Sequence, residues 1–204
     1  NDTYNNWGEN SSALAVTTAS PPLIAPAIVS WGNNLTNDNS LSLLVERLRT
    51  VEFNATADQL ISDWYWGNAT IKSGNGTANS NATKQFTSTG TFYVDVHGTN
   101  GNGTTDTKTW TITIQDTTKP PKVQDLANDT PTQTTVNLTW TAITGIDDLW
   151  GYEVFKNDTH LDYTQNNYYN VTGLTANTLY QFKVRANDTY NNWGENSSAL
   201  AVTT

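Results

Sequence analysis

Short runs in which apolar and polar residues alternate are the feature that most restricts how this chain can fold. Alternation at every second position gives a strand one apolar and one polar face, so each run predicts a half-buried β-strand. The first half has such runs at Val51-Phe53-Ala55, Trp64-Trp66, Phe92-Val94-Val96 and Trp110-Ile112-Ile114. The second half has them at Val136-Leu138-Trp140, Tyr152-Val154, Tyr180-Phe182-Val184-Ala186 and Leu200-Val202. The pattern predicts an all-β chain of sandwiches, with Trp64, Trp66 and Trp140 in cores and Tyr65 outside.

The first 18 residues of the chain are repeated exactly at its end. Residues 1–18 read NDTYNNWGENSSALAVTT, and residues 187–204 are identical, at an offset of 186. The chain is then either a window on a tandem array with that period, or a discrete subunit whose spare strand completes a neighbour's sheet. We favour the array, in which residues 1–18 form the final strand of a preceding repeat.

Proline pairs divide the rest into two predicted domains. Ser20-Pro21-Pro22 and Lys119-Pro120-Pro121 each follow a threonine-rich strand end and indicate stiff, extended joints. The predicted domains are residues 19–118 and 119–204. Within the first predicted domain, the segment 41–48, LSLLVERL, is either one short helix or an edge strand.

Two stretches resemble known families. Residues 116–204, with DTTKPPKVQDL, TTVNLTW, DDLWGYEVFKND and GLTANTLYQFKVRANDTYNNWGENSSALAVTT, resemble fibronectin type III domains, and Leu174 and Tyr180 match that family's tyrosine corner. Residues of about 50–115, with TVEFNATADQ, DWYWGNATI and TGTFYVDVHGTNGNGTTDTKTWTITI, resemble PKD domains. WYWGNAT replaces the usual WDFGDG-like turn, as in surface proteins of methanogenic archaea. These resemblances imply two immunoglobulin-like β-sandwiches in tandem.

The chain contains fourteen sequons for N-glycosylation, Asn-x-Ser/Thr, which is more than twice the roughly six expected by chance from composition. Alternation predicts that Asn54, Asn137 and Asn187 point away from the core. We therefore predict dense glycosylation, which requires a secretory route. The fourteen sequon asparagines are Asn1, Asn10, Asn34, Asn54, Asn68, Asn75, Asn81, Asn102, Asn128, Asn137, Asn157, Asn170, Asn187 and Asn196.

Charge and composition argue against several classes of function. Ten Lys and Arg against 19 Asp and Glu give a net charge of −9, unlike a nucleic-acid binder. No apolar run is long enough to span a membrane, and the chain has no cysteine for a disulfide, a zinc-thiolate site or a nucleophile. His97 and His160 lie far apart, in different predicted domains, which argues against a Ser-His-Asp or histidine-metal site. We expect no cofactor and no metal.

Three polar or aromatic features of the sequence are candidate sites. Asp147-Asp148 precedes GYEVF, so we expect a loop role rather than paired catalytic carboxylates. Asp116 is a candidate calcium ligand at the domain joint, although a DxDxDG motif is absent. Trp193 and its copy Trp7 lie in the polar loop YNNWGEN, where packing is favoured over a sugar platform.

The sequence thus predicts a structural, heavily N-glycosylated extracellular or cell-surface repeat protein that forms a fibre, sheath or surface layer. Its partners would be copies of itself and its covalent N-glycans, with no nucleic acid and no membrane span in this segment. The alternative is an adhesin or carbohydrate-binding accessory segment of a larger secreted protein. An exposed aromatic strip free of sequons would favour that alternative. An enzyme in its own right is not expected.

Overall fold

The protein is all β. The computed structural model describes residues 22–36 and 39–204, and this part of the chain contains sixteen strands and no α-helix. The strands are β1 (Ile28–Asn33), β2 (Ser42–Glu46), β3 (Thr50–Ile61), β4 (Asp63–Gly67), β5 (Thr70–Ser73), β6 (Thr77–Gln85), β7 (Gly90–Asn100), β8 (Gly103–Thr104), β9 (Lys108–Gln115), β10 (Ala127–Asn128), β11 (Val136–Thr139), β12 (Leu149–Lys156), β13 (Thr159–Thr164), β14 (Tyr168–Val171), β15 (Leu179–Asp188) and β16 (Leu200–Thr203). Over the described ranges, nothing helical is present that could cross a bilayer.

Two compact units make up the described chain. The first combines the described residues up to Leu41 with Val51–Lys84 and Val94–Thr109, and the second combines Ser42–Thr50, Gln85–Tyr93 and Trp110–Thr204. The predicted domain limits, 1–18, 19–118 and 119–204, stay predictions. The predicted strand within residues 1–18, together with Trp7, Asn1 and Asn10, lies outside the described residues.

The first unit contains a four-stranded sheet in the order β1-β3-β6-β5 and the antiparallel pairs β4-β7 and β7-β8. Alternation on β4 is confirmed, because Trp64 and Trp66 are buried and Tyr65 between them is 48% exposed. The ring of Trp66 lies 6.5 Å from that of Phe53 on β3, and its Nε1 donates to Ser80 Oγ at 2.8 Å. Trp64 Nε1 likewise donates to the carbonyl of Thr77 at 3.1 Å, so both indoles are buried with their polar groups satisfied.

The segment 41–48 is resolved in favour of the strand. β2 pairs in parallel with β9 and lies at the edge of its sheet. Leu43 and Val45 stand opposite Ile112 and Ile114, and all four side chains are buried. Leu44, which points the other way, is 65% exposed, so the segment has the period of a strand rather than of a helix.

The second sandwich, within the second unit, packs the sheet β10-β11-β14 against the sheet β13-β12-β15-β16. Between the sheets, the rings of Trp140 and Tyr152 meet edge to face at 5.2 Å, and Tyr152 Oη accepts the backbone N–H of Ile143 at 2.9 Å. The tyrosine corner expected from the resemblance is present: Tyr180 Oη accepts the N–H of Thr175 at 3.0 Å. The fully buried members of this core are Leu138, Val154, Phe182, Val184 and Ala186.

Candidate functional site

Arg47 is the centre of the largest ion-pair network in the described chain. Arg47 follows directly after β2 in sequence, and its side chain is only 8% exposed. Nε donates to Asp116 Oδ2 at 2.7 Å, and Nη1 and Nη2 donate to the two carboxylate oxygens of Asp147, both at 2.8 Å. Nη2 also donates to Asp148, and the guanidinium lies 5.3 Å from the ring centre of Tyr190. This fork geometry holds three chain segments at one cation.

The network perturbs the ionisation of its carboxyl groups in different directions. Burial opposes ionisation of Asp116, but the hydrogen bonds from Arg47 and from the N–H of Thr118 outweigh it and hold its pKa below the usual value. The hydrogen bond from Arg47 also lowers the pKa of Asp147. Burial, followed by the hydrogen bond with Asp116, raises the pKa of Asp148. The hydrogen bonds that Arg47 donates to Asp147 and Asp116 raise the pKa of Arg47 further, so the guanidinium stays charged.

Carboxylate oxygens of Asp116, Asp148 and Asp188 come within 4.8 Å of one another, as in a cation site. The positive charge among them is already supplied by Arg47, and Asp188 accepts hydrogen bonds from the N–H groups of Tyr190 and Asn192. The pocket beside the network holds about 180 Å³, less than the several hundred Å³ of an ordinary ligand site. The geometry supports a structural role, as expected for Asp147-Asp148, and Asp116 stays a candidate calcium ligand rather than a predicted one.

A second feature lies on the outer face of the sheet β13-β12-β15-β16. Here four side chains, Trp150, His160, Tyr163 and Trp193, form what we call the aromatic cluster. Tyr163 is at its centre, with ring centres 5.9 Å from Trp150, 4.6 Å from His160 and 6.1 Å from Trp193. Trp150 is 41% exposed and Tyr163 46% exposed, so the cluster presents aromatic surface to solvent.

A buried ion pair lies under the aromatic cluster. Tyr163, Glu153 and Arg185 stand directly opposite one another on β13, β12 and β15. Glu153 is only 4% exposed although it faces away from the core; it accepts from Arg185 Nε and Nη2, both at 2.7 Å, and contacts His160 Nδ1 at 2.8 Å. The guanidinium of Arg185 lies 4.4 Å from the ring centre of Trp193. A buried carboxylate requires such partners, so they hold the cluster in place.

The two histidines occupy separate, ordinary environments. His97 on β7 stacks on Tyr65 with ring centres 5.0 Å apart and an angle of 17°, whereas His160 on β13 contacts Glu153. Sequence reasoning placed neither Arg47 nor Arg185 at a site, because their partners are distant in sequence. The one available signal was Glu153, an acidic residue within the run GYEVF.

Nine of the twelve sequon asparagines within the described chain are exposed: Asn34, Asn54, Asn68, Asn75, Asn81, Asn102, Asn157, Asn170 and Asn196. Asn128 and Asn137 are half-buried, and both use Nδ2, the atom that would carry a glycan, to donate to Asp129. In contrast, Asn34, Asn75 and Asn157 accept backbone N–H groups through Oδ1. Glycosylation itself stays a prediction.

The predicted outward exposure of Asn187 is wrong, since this residue is only 7% exposed and its Oδ1 is buried without a partner. The chain after β15 folds back over it: Asn187 forms a bridge with Trp193, and the N–H of Gly194 donates to the carbonyl of Ala186 at 2.9 Å. The pairing of β12 with β15 also shifts by one residue at this point. Strand alternation thus correctly turns Asn187 away from the core, but another segment covers it.

Comparison with known families finds a match to part of the chain. Residues 119–203 match the family model of the fibronectin type III domain. This agrees with the resemblance of residues 116–204 and with the tyrosine corner at Tyr180. The predicted fold class, all-β with two immunoglobulin-like sandwiches in tandem, is confirmed.

The relatives with similar sequences are bacterial. Exoglucanase B of Cellulomonas fimi is 32% identical over an alignment that covers 100% of this chain and 19% of that protein. Chitinase D of Niallia circulans is 44% identical over 39% of this chain and 15% of that protein. The chain therefore spans less than a fifth of either relative. Among solved structures, the FN1-FN3 domains of chicken CNTN1 align with 91% of this chain and 68% of that chain, at 16% identity and a TM-score of 0.41, too distant a likeness to bear on function.

Proposed function

We propose that this chain is a non-catalytic accessory segment of a larger, secreted protein that acts on a polysaccharide. The observation that carries the proposal is the likeness to Exoglucanase B, which runs through the whole of this chain but through only 19% of the relative. A segment of this kind corresponds to a part of a longer protein whose chemistry resides elsewhere. Chitinase D supports the same interpretation for the fibronectin type III domain.

The charged groups of the described residues are consistent with this role. The carboxyl groups of Asp116, Asp147 and Asp148 are engaged with Arg47, and that of Glu153 is engaged with Arg185. Acid–base catalysis needs a carboxyl group directed at a substrate in a cleft. These groups instead tie segments of the chain to one another, which suits a stiff spacer between other domains.

The test is to isolate the natural polypeptide that carries this sequence and to assay it on cellulose and chitin. We expect an intact mass several times the 22.4 kDa of this chain and hydrolysis of at least one of the two polymers. A variant lacking residues 22–204 should keep its activity on soluble oligosaccharides, because the catalytic part is elsewhere. A secreted polypeptide that hydrolyses neither polymer contradicts the proposal.

The 18-residue identity at an offset of 186 favours a second function, a tandem-repeat structural protein of a fibre, sheath or surface layer. In this case the sandwiches would be extended end to end, a PKD-like first half would alternate with a fibronectin type III domain, and N-glycans would solvate the surface. The protein would then be comparable to the surface proteins of methanogenic archaea that its first half resembles. The deglycosylated, denatured mass and the stoichiometry of peptides from residues 187–204 test it: several copies per chain support the array, and a single copy contradicts it.

A further inference from the structure

We propose that the aromatic cluster binds a neutral polysaccharide by stacking on the faces of its sugar rings. The proposal rests on the proposed function and adds to it a site and a ligand class. Its contact residues would be Trp150, Tyr163 and Trp193, with the polar edges of Arg185 and His160 between them. All five lie on the second sandwich, on the outer face of the sheet β13-β12-β15-β16 or in the loop that covers it.

The chemistry of the surface suits a sugar better than a purely apolar ligand. A pyranose ring has a face of C–H groups and a rim of hydroxyl groups, so it needs flat aromatic surface and hydrogen-bonding groups next to each other. The cluster offers both, because the ring of Tyr163 lies 5.9 Å from Trp150 and 6.1 Å from Trp193, and His160 lies beside it. The ring planes of Trp150 and Tyr163 meet at 83° and those of Tyr163 and Trp193 at 41°, so each ring offers its own face and the three line an angled surface.

The surface is also preorganised. Glu153, 4% exposed, holds Arg185 through two contacts of 2.7 Å, and Arg185 in turn lies 4.4 Å from the ring centre of Trp193. The same carboxylate contacts His160, whose ring packs on Tyr163. Aromatic side chains held in this way lose little freedom on binding, which favours affinity for a ligand that offers few contacts.

Charge selects the ligand class. At the cluster the charge of Glu153 is balanced by that of Arg185, while the whole chain carries a net charge of −9. A polyanionic polysaccharide would be repelled by the whole molecule and would find no unpaired cation here. A neutral chain such as a glucan or chitin meets no such penalty. None of the cluster residues is itself a sequon asparagine and the sequon at Asn187 is buried, but the exposed sequons at Asn157 and Asn196 are each three residues from the cluster in sequence.

Affinity electrophoresis of the full chain, produced without glycosylation, tests the proposal. The gels contain hydroxyethyl cellulose, glycol chitin or polygalacturonate, or no polymer. We expect retardation by at least one neutral polymer and none by polygalacturonate. Trp150→Ala and Tyr163→Ala should each weaken binding about tenfold or more, which corresponds to ~1.4 kcal/mol.

The matched control is Tyr168→Ala, because Tyr168 is 52% exposed but lies on β14, in the other sheet of the same sandwich. It should bind like the unmodified chain. Urea unfolding of each variant verifies the fold, and a titration of tryptophan fluorescence in the unmodified chain with cellohexaose and chitohexaose gives a readout that needs no variant.

Several results would overturn the proposal: no binding of the unmodified chain to either neutral polymer or hexasaccharide, binding only to polygalacturonate, or equal losses in Trp150→Ala and Tyr168→Ala. Concentration-dependent dimerisation that Trp150→Ala abolishes would assign the surface to a second copy and also overturn it. If the natural polypeptide hydrolyses polysaccharide but this chain binds none, the sugar site is refuted and the proposed accessory function is not. If the natural polypeptide has no such activity, the proposed accessory function is refuted instead.

Discussion

Replacing Arg47 by alanine should destabilise the protein strongly, because it leaves buried carboxylates without their cation. The side chains of Asp116 and Asp148 are 3% and 13% exposed, and both contact the guanidinium. Removing one partner of a buried ion pair typically costs about 3–5 kcal/mol. Asp147 adds little, since its side chain is 59% exposed and solvent screens its charge. We therefore expect a loss of about 3 kcal/mol, at the lower end of that range.

The loss should depend on pH. In the unmodified protein the lowered pKa values of Asp116 and Asp147 contribute stability above their unfolded value of about 3.9, and this contribution is lost as the pH falls through their folded values. Without Arg47, burial is the largest remaining effect on Asp116 and Asp148, and burial raises a carboxyl pKa. These carboxyl groups then protonate as the pH falls through the raised values. The variant's deficit should therefore be greatest near pH 7 and shrink toward about pH 5.

Urea unfolding followed by tryptophan fluorescence at the two pH values measures both effects. With a slope of about 2 kcal/mol per molar urea, the Arg47→Ala midpoint should fall by about 1.5 M near pH 7. Arg49→Ala is the control, because Arg49 is exposed and only two residues away, and it should change stability by less than about 0.5 kcal/mol. A deficit below about 1 kcal/mol, or one that grows as the pH falls, would refute the assignment of Arg47 as the compensating cation.

Three further outcomes follow from burial and close contact. Tyr152→Phe should cost about 1–2 kcal/mol in urea unfolding, since it removes the hydroxyl that accepts a backbone N–H at 2.9 Å; an unchanged midpoint would argue against that bond. Gly194→Ala should cost about 1–3 kcal/mol, because its Cβ would lie 2.7 Å from a backbone carbonyl oxygen, whereas Gly101→Ala, with open space around it, should be nearly neutral. Glycopeptide mapping of the natural protein should find glycan at exposed Asn54 and none at Asn187, and a modified Asn187 would contradict its burial.

Much of the fold could be predicted from alternation alone. Trp64 and Trp66 are buried with Tyr65 between them exposed, as period two requires, and Trp140 lies in the core of the second sandwich. The segment 41–48 was ambiguous, because a short apolar run fits either a helix or a strand; pairing of β2 with β9 decides it. Local patterns succeed here because the face that a strand residue occupies depends only on its neighbours in sequence.

The site residues were less predictable. Asp147 and Asp148 stood out as adjacent carboxyl groups, but their cation, Arg47, is 100 residues away from Asp147. Glu153 stood out only as an acidic residue within GYEVF; its burial on an outer face could not be predicted, because side chains from β13 and β15 cover it. Asn187 shows the same limit: alternation predicted its direction, and the segment folded back at Trp193 decided its burial.

The sequence by itself determined that this chain is all β, which residues face its cores, and that residues 116–204 resemble a fibronectin type III domain. Only the tertiary structure decided that Arg47 joins three acidic residues and that Glu153 supports an exposed aromatic cluster. The physical reason is that alternation acts between adjacent residues through backbone geometry, whereas an ion pair or a covering side chain depends on which distant segments the strand register brings together.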